Sequence, residues 1–83
     1  MHPLRNILNK LVWSEKEKLE DYEITYIHRG VPGNSKSLKA SSIIKIGKSW
    51  FIFKDNEEEK VIPFHRVILV VNLKTGECLW RKL

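Results

Sequence analysis

The sequence predicts an α+β domain in which an N-terminal helix packs on a strongly coiled, mainly antiparallel sheet of five or six strands. Three observations lead there. Apolar residues recur at helical spacing near the start, at Leu4, Ile7, Leu8, Leu11 and Val12. From Asp21 onward the chain reads as short alternating or apolar runs, punctuated by Gly, Pro, Asn and Ser. Two of these runs, 50–54 and 67–71, are apolar on both faces. One helix covers one face of a sheet, so the sheet is expected to curl over itself and approach a barrel, or to meet a second copy of the chain.

The elements follow in order. Pro3 suits the first helical turn, and Trp13 is expected to end the helix and pack on the core. Ser14 and Glu17 have capping-box spacing for a short helical turn after it. In the run Asp21 to Arg29, Tyr22, Ile24, Tyr26 and His28 share one strand face, while Glu23, Thr25, Ile27 and Arg29 share the other. Gly30 to Lys36 is a loop by composition. A short strand, a turn near Ser41-Ser42 and a second strand at Ile43–Ile46 follow. Trp50 to Lys54 is a strand, Asp55 to Glu59 an acidic hairpin loop, and Lys60 to Pro63 leads into Val67-Ile68-Leu69-Val70-Val71. Leu73 to Glu77 is a hairpin connection in which Gly76 takes the positive-φ position, and Cys78 to Lys82 closes the sheet.

Bulk properties bound what the chain does. Its 83 residues make a single domain, 1–83, with one core. Hydrophobic content of 42% and charged content of 30% belong to a globular chain rather than a disordered one. No apolar run approaches the ~20 residues of a membrane span, and the N-terminus lacks a signal-peptide apolar region, so a cytoplasmic location with no membrane contact is expected. The lone cysteine, Cys78, excludes an internal disulfide and a cysteine-cluster zinc site. The three histidines, His2, His28 and His65, have no local ligand spacing, so neither a metal nor another cofactor is expected. Cys78 reads as a small core residue. A net charge of +5 makes nucleic acid a plausible partner class.

The sharpest chemical features are two dipeptides, His28-Arg29 and His65-Arg66. An imidazole donates to phosphate oxygens, and an arginine fork matches them bidentately. Each dipeptide alone is better met by a half-buried strand histidine bonded to a backbone carbonyl, with a solvent-facing arginine beside it. Strand parity adds a constraint. Neighbouring strand residues point to opposite faces, so a His-Arg pair faces one site only where the backbone turns or bulges. Pro63 before one pair and Gly30 after the other allow such a turn. Lys36 stands ready to add charge, and Phe64 is the aromatic best placed to stack a base, because it adjoins His65 and Arg66. Two histidines also permit acid–base opening of a cyclic phosphodiester. No P-loop, magnesium-type carboxylate cluster or His-x-Ser/Thr pair accompanies them.

Together, the helix ending at Trp13, the run Asp21-Tyr22-Glu23-Ile24-Thr25-Tyr26-Ile27-His28-Arg29-Gly30, the segment Ile62-Pro63-Phe64-His65-Arg66-Val67 and the Gly76–Trp80 hairpin resemble a known family. It comprises small, largely uncharacterised archaeal proteins, occurs as a module in larger eukaryotic proteins, and is called the RNA cyclic group end recognition domain. The resemblance covers nearly the whole chain. It implies a role in RNA processing and recognition of RNA ends that bear a cyclic 2′,3′-phosphate. His28, Arg29, His65 and Arg66 match the family's polar positions, whereas Phe64 stands where the family often has Tyr. The leading expectation is therefore an RNA-binding module that holds a phosphate with His28, Arg29, His65 and Arg66, assisted by Lys36 and Phe64. A metal-independent RNA phosphoesterase using His28 and His65 is the first alternative. A structural or protein-interaction module that forms a homodimer is the second.

Overall fold

The computed structural model describes residues 3–14 and 18–82. The expected helical turn over 14–18 involves residues 15–17, which lie outside the described residues. Pro3–Trp13 forms helix α1, and Leu4, Leu8 and Leu11 are its buried stripe. Spacings of four and three residues bring those leucines to one face. Burying each contributes about 1.5–3 kcal/mol relative to exposure. Arg5 Nε donates to the Gly47 carbonyl at 3.2 Å, which ties the helix to the turn there.

The described residues contain β1 (Tyr22–Ile27), β2 (Ser35–Lys39), β3 (Ile43–Ile46), β4 (Trp50–Asp55), β5 (Glu58–Pro63), β6 (Val67–Asn72) and β7 (Cys78–Arg81). They form two antiparallel sheets, one of four strands in the order β2-β1-β6-β7 and one of three in the order β3-β4-β5. The α+β class and the N-terminal helix are as expected. The single five- or six-stranded, barrel-like sheet is not: seven strands are divided between two sheets, and no closed barrel forms. The reason lies at two corners. Short 3₁₀ turns, Ala40–Ser42 and Phe64–Arg66, carry the chain from β2 to β3 and from β5 to β6. A 3₁₀ turn winds too tightly to continue a strand ladder.

Each corner begins on a buried residue, Ala40 or Phe64. Each closes when the following strand's first N–H donates back to that residue's carbonyl, Ile43 to Ala40 and Val67 to Phe64. The core lies between the sheets. Ile24, Tyr26, Val67 and Val70 from one sheet meet Phe51, Phe53 and Ile62 from the other, and α1 adds its leucines alongside β3 and β7. Phe51, Phe53, Val67 and Val70 are thus covered within the chain. The remaining apolar residues of these strands, Trp50, Ile52, Ile68, Leu69 and Val71, are half-buried.

Three local expectations are corrected. Trp13 ends the helix but is 82% exposed rather than packed on the core. Cys78 is exposed, because its edge strand turns it outward. The acidic run is not a loop: the ladder extends to the pair Asp55↔Glu58. Asn56 (φ 59°) makes the tight reversal, a conformation asparagine tolerates. The Lys60 ammonium meets the Asp55 carboxylate at 2.8 Å.

Phe64 is also corrected. It is 1% exposed, and its ring lies near-parallel to that of Phe51 with centroids 6.2 Å apart. It anchors a corner and offers no face to a base. A Phe64→Ala variant should lose about 3–5 kcal/mol of stability in urea unfolding, as buried aromatics do. His65→Ala, one residue along on the exposed side, should change stability by no more than about 0.5 kcal/mol. Equal effects would contradict the corner as described.

Candidate functional site

The two His-Arg pairs meet because of strand register. β1 pairs with β6 as Ile24↔Val70 and Thr25↔Leu69, then shifts to Tyr26↔Val67. The shift leaves Ile68 as the extra residue on β6, a bulge of the kind that re-aims a strand end. Continued beyond its last pair, this register sets Ile27 against Arg66 and His28 against His65. The ladder stops because residues 64–66 turn into the corner. The first residue of that turn points inward, while His65 and Arg66 are both exposed. The corner therefore releases them from strand parity.

The other pair sits at the end of β1. The His28 backbone N–H donates to the Asn34 carbonyl at 2.9 Å, and the Asn34 N–H donates to the Val31 carbonyl at 2.9 Å. Gly30 between them has φ 93°, a value a side chain would strain. His28 is half-buried, with its ring edge-on to Tyr26 at 6.2 Å, whereas Arg29 is exposed. β7 brings a further cation. Leu69 pairs with Arg81, and the Lys82 N–H donates to the Ile68 carbonyl at 3.0 Å. The Lys82 ammonium then reaches the His65 carbonyl at 2.6 Å.

Ile27, His28, Arg29, His65, Arg66 and Lys82 line one open cleft of about 480 Å³. Its lining holds two guanidinium groups, one ammonium, two imidazoles and no carboxylate. No described carboxylate pairs with Arg29, Arg66 or Lys82. The arrangement can present several donors to one anion, with Ile27 as an apolar wall. Among the described residues no three His, Cys, Asp or Glu side chains gather as metal ligands would.

Four of the six expected site residues therefore share the cleft. Lys36 does not: it pairs with Tyr26 across the β1–β2 ladder and opens into a neighbouring cleft. Phe64 lies in the core beneath. Lys82 and Ile27 were not singled out from sequence. Lys82 was legible only as one of many basic residues until the β6–β7 register set it beside residue 68. Ile27 read as a strand residue whose opposite face carried the aromatic pattern.

A small α+β module with a cation-rich cleft built from the end of β1, the corner before β6 and the end of β7 is thus what the fold and site define. The chain belongs to the MJ1316 RNA cyclic group end recognition domain family, which matches residues 1–82. Its relatives include the UPF0248 protein of Methanococcus vannielii, 42% identical over 80 residues that cover 96% of this chain and 92% of the relative. The UPF0248 protein MJ1316 of Methanocaldococcus jannaschii is 35% identical, covering 95% of this chain and 92% of the relative. That of Thermococcus sibiricus is 33% identical, covering 95% and 84%. No solved structure matches the chain. Among the described residues no helix is long and apolar enough to cross a membrane.

Tyr26 adjoins the cleft through His28 and supports it from the core. Burial pushes its phenol above the ordinary value, the Lys60 charge opposes that shift, and the Asp55 carboxylate adds to it. In alkali the folded chain keeps this proton after the unfolded chain has lost it. The contribution of Tyr26 is therefore complete below about pH 10 and lost as the pH rises through the higher folded value. Denaturant unfolding from about pH 9 to 12 should show stability falling more steeply in the parent than in Tyr26→Phe. Parallel curves would mean that the phenol is not held protonated by the fold.

Proposed function

We propose that this protein is an RNA-binding module that holds a phosphorylated RNA end, with a 2′,3′-cyclic phosphate as the preferred form. The observation that carries this reading is the convergence of both His-Arg pairs and Lys82 on one carboxylate-free cleft. Arg29 and Arg66 would bind the non-bridging oxygens through their planar forks. His28 and His65 would add directional N–H donors, and Lys82 a mobile charge. Ile27 would lie against the terminal ribose or base. Membership of a family described as RNA cyclic group end recognition supports the same substrate class.

The test is binding of one oligonucleotide prepared with a cyclic 2′,3′-phosphate, a linear phosphate and a hydroxyl end. The two phosphorylated forms should bind more tightly than the hydroxyl form, the cyclic form most tightly. Arg66→Ala should weaken the cyclic form about 10- to 100-fold, the effect of losing a charge-assisted hydrogen bond. Indifference to the end would sink the reading.

Both imidazoles line the same cleft, which favours one second reading, metal-independent opening of the cyclic phosphate. Turnover of a cyclic end to a linear one, abolished separately by His28→Ala and His65→Ala, would establish it. Binding without turnover leaves recognition as the function.

A further inference from the structure

The neighbouring cleft that receives Lys36 is a second candidate binding site. It measures about 440 Å³, and its lining includes Lys36, Lys39, Lys54, Ser37, Ser41 and Ser42. The three lysines are exposed, and none has a described carboxylate within ion-pair distance. Asp55, the one carboxylate on its lining, is held by Lys60 at 2.8 Å, so its charge is compensated in place. Three lysines against the one carboxylate give this lining an excess of positive formal charge.

The two clefts share an architecture. Each uses the second and third residues of a 3₁₀ corner between the sheets, Ser41-Ser42 in one and His65-Arg66 in the other. Each also borrows residues from β1 or its end: Tyr26 in one, Ile27 to Arg29 in the other. They adjoin where the rings of Tyr26 and His28 lie edge to face, 6.2 Å apart. Their chemistry differs. Arginine forks and imidazoles are directional, and they suit one fixed anion. Lysines are flexible point charges, and with the Ser37 and Ser41 hydroxyls they suit successive phosphates in more than one register, while the Ser42 hydroxyl donates to the Lys39 carbonyl at 2.7 Å.

We propose that this lysine–serine cleft holds the phosphodiester backbone of the RNA strand whose end occupies the His-Arg cleft. It takes the nucleotides immediately upstream and reads no base. This rests on the end-binding reading of the first cleft. The protein would then grip an RNA at two places, an end fixed by geometry and a body held by charge.

The test compares a trinucleotide with an octanucleotide, each bearing either a cyclic-phosphate or a hydroxyl end, over a range of salt. The octanucleotide should bind at least about tenfold more tightly, and its log K should fall more steeply with log salt, by about 0.7 for each added phosphate contact. Combined Lys36→Gln, Lys39→Gln and Lys54→Gln should abolish that gain and weaken the trinucleotide far less than the octanucleotide. Lys10→Gln, Lys18→Gln and Lys74→Gln together remove the same formal charge elsewhere and should preserve it. The second-cleft proposal fails if the first triple variant keeps the gain, or if the control loses as much. End-dependent binding without any gain from length overturns this proposal alone. A lysine-sensitive gain without end dependence overturns the end reading and leaves the second cleft as a general backbone site. Absence of binding to every oligonucleotide overturns both.

Discussion

The burial of Phe64 under the corner between the sheets is the contact on which the rest depends. Its ring, 1% exposed, packs on Phe51. Its N–H also donates to the Ser49 carbonyl at 2.9 Å, and its carbonyl accepts from Val67. With the backbone fixed on both sides, residues 65 and 66 have no route but outward. From Phe64 a line of aromatic contacts runs through Phe51, Phe53 and Tyr26 to His28, each step near 6 Å between centroids: 6.2, 6.3, 6.0 and 6.2 Å. The line begins beside one His-Arg pair and ends at the other. The core thus braces both halves of the cleft against each other, as a site on rigid elements requires.

Register supplies what packing alone does not. The ladder brings β1 and β6 together along a fixed pairing whose last pair after the bulge at Ile68 is Tyr26↔Val67, and beyond it His28 and His65 line one cleft. The adjoining β7 delivers Lys82 through the same kind of constraint. Three segments distant in the chain therefore contribute cations to one place without any pairing among themselves. Concentrating like charges costs free energy in the unbound molecule. The open cleft limits this cost through solvent screening, and the Lys82 contact with the His65 carbonyl offsets part of it.

Much of this was legible beforehand. The leucine stripe of α1, the alternation of β1, the turn near Ser41-Ser42 and the positive φ at Gly76 all follow from local periodicity and turn chemistry. The question of whether His65 and Arg66 could face one site was also visible, because Pro63 precedes them. Its answer was not, since a 3₁₀ corner and a strand bulge differ by a few dihedral angles that tertiary packing selects. Two sheets were read as one for the same reason: each corner looks in sequence like a turn within a sheet. Phe64 illustrates the general difficulty. Its neighbours are functional candidates, so adjacency made it one, while inside a tight turn the successive side chains part company. Trp13 shows the reverse error, in which size was taken to mean burial.

Charge alone sets a limit on what the proposed end cleft discriminates. A cyclic phosphate carries a single negative charge, whereas a linear terminal phosphate approaches two near neutral pH. Coulomb attraction by Arg29, Arg66 and Lys82 taken by itself therefore favours the linear end. Preference for the cyclic form must come from groups that answer to shape. A cyclic ester fixes its two non-bridging oxygens relative to the ribose, and a fork or imidazole held in place rewards that fixity. His28 is half-buried with its ring edge-on to Tyr26, whereas Arg29, His65, Arg66 and Lys82 are exposed. Discrimination should therefore reside in His28 and in the guanidinium planes more than in Lys82. It should also survive salt that screens the ammonium, because salt weakens attraction at a distance more than it weakens a geometric match at contact.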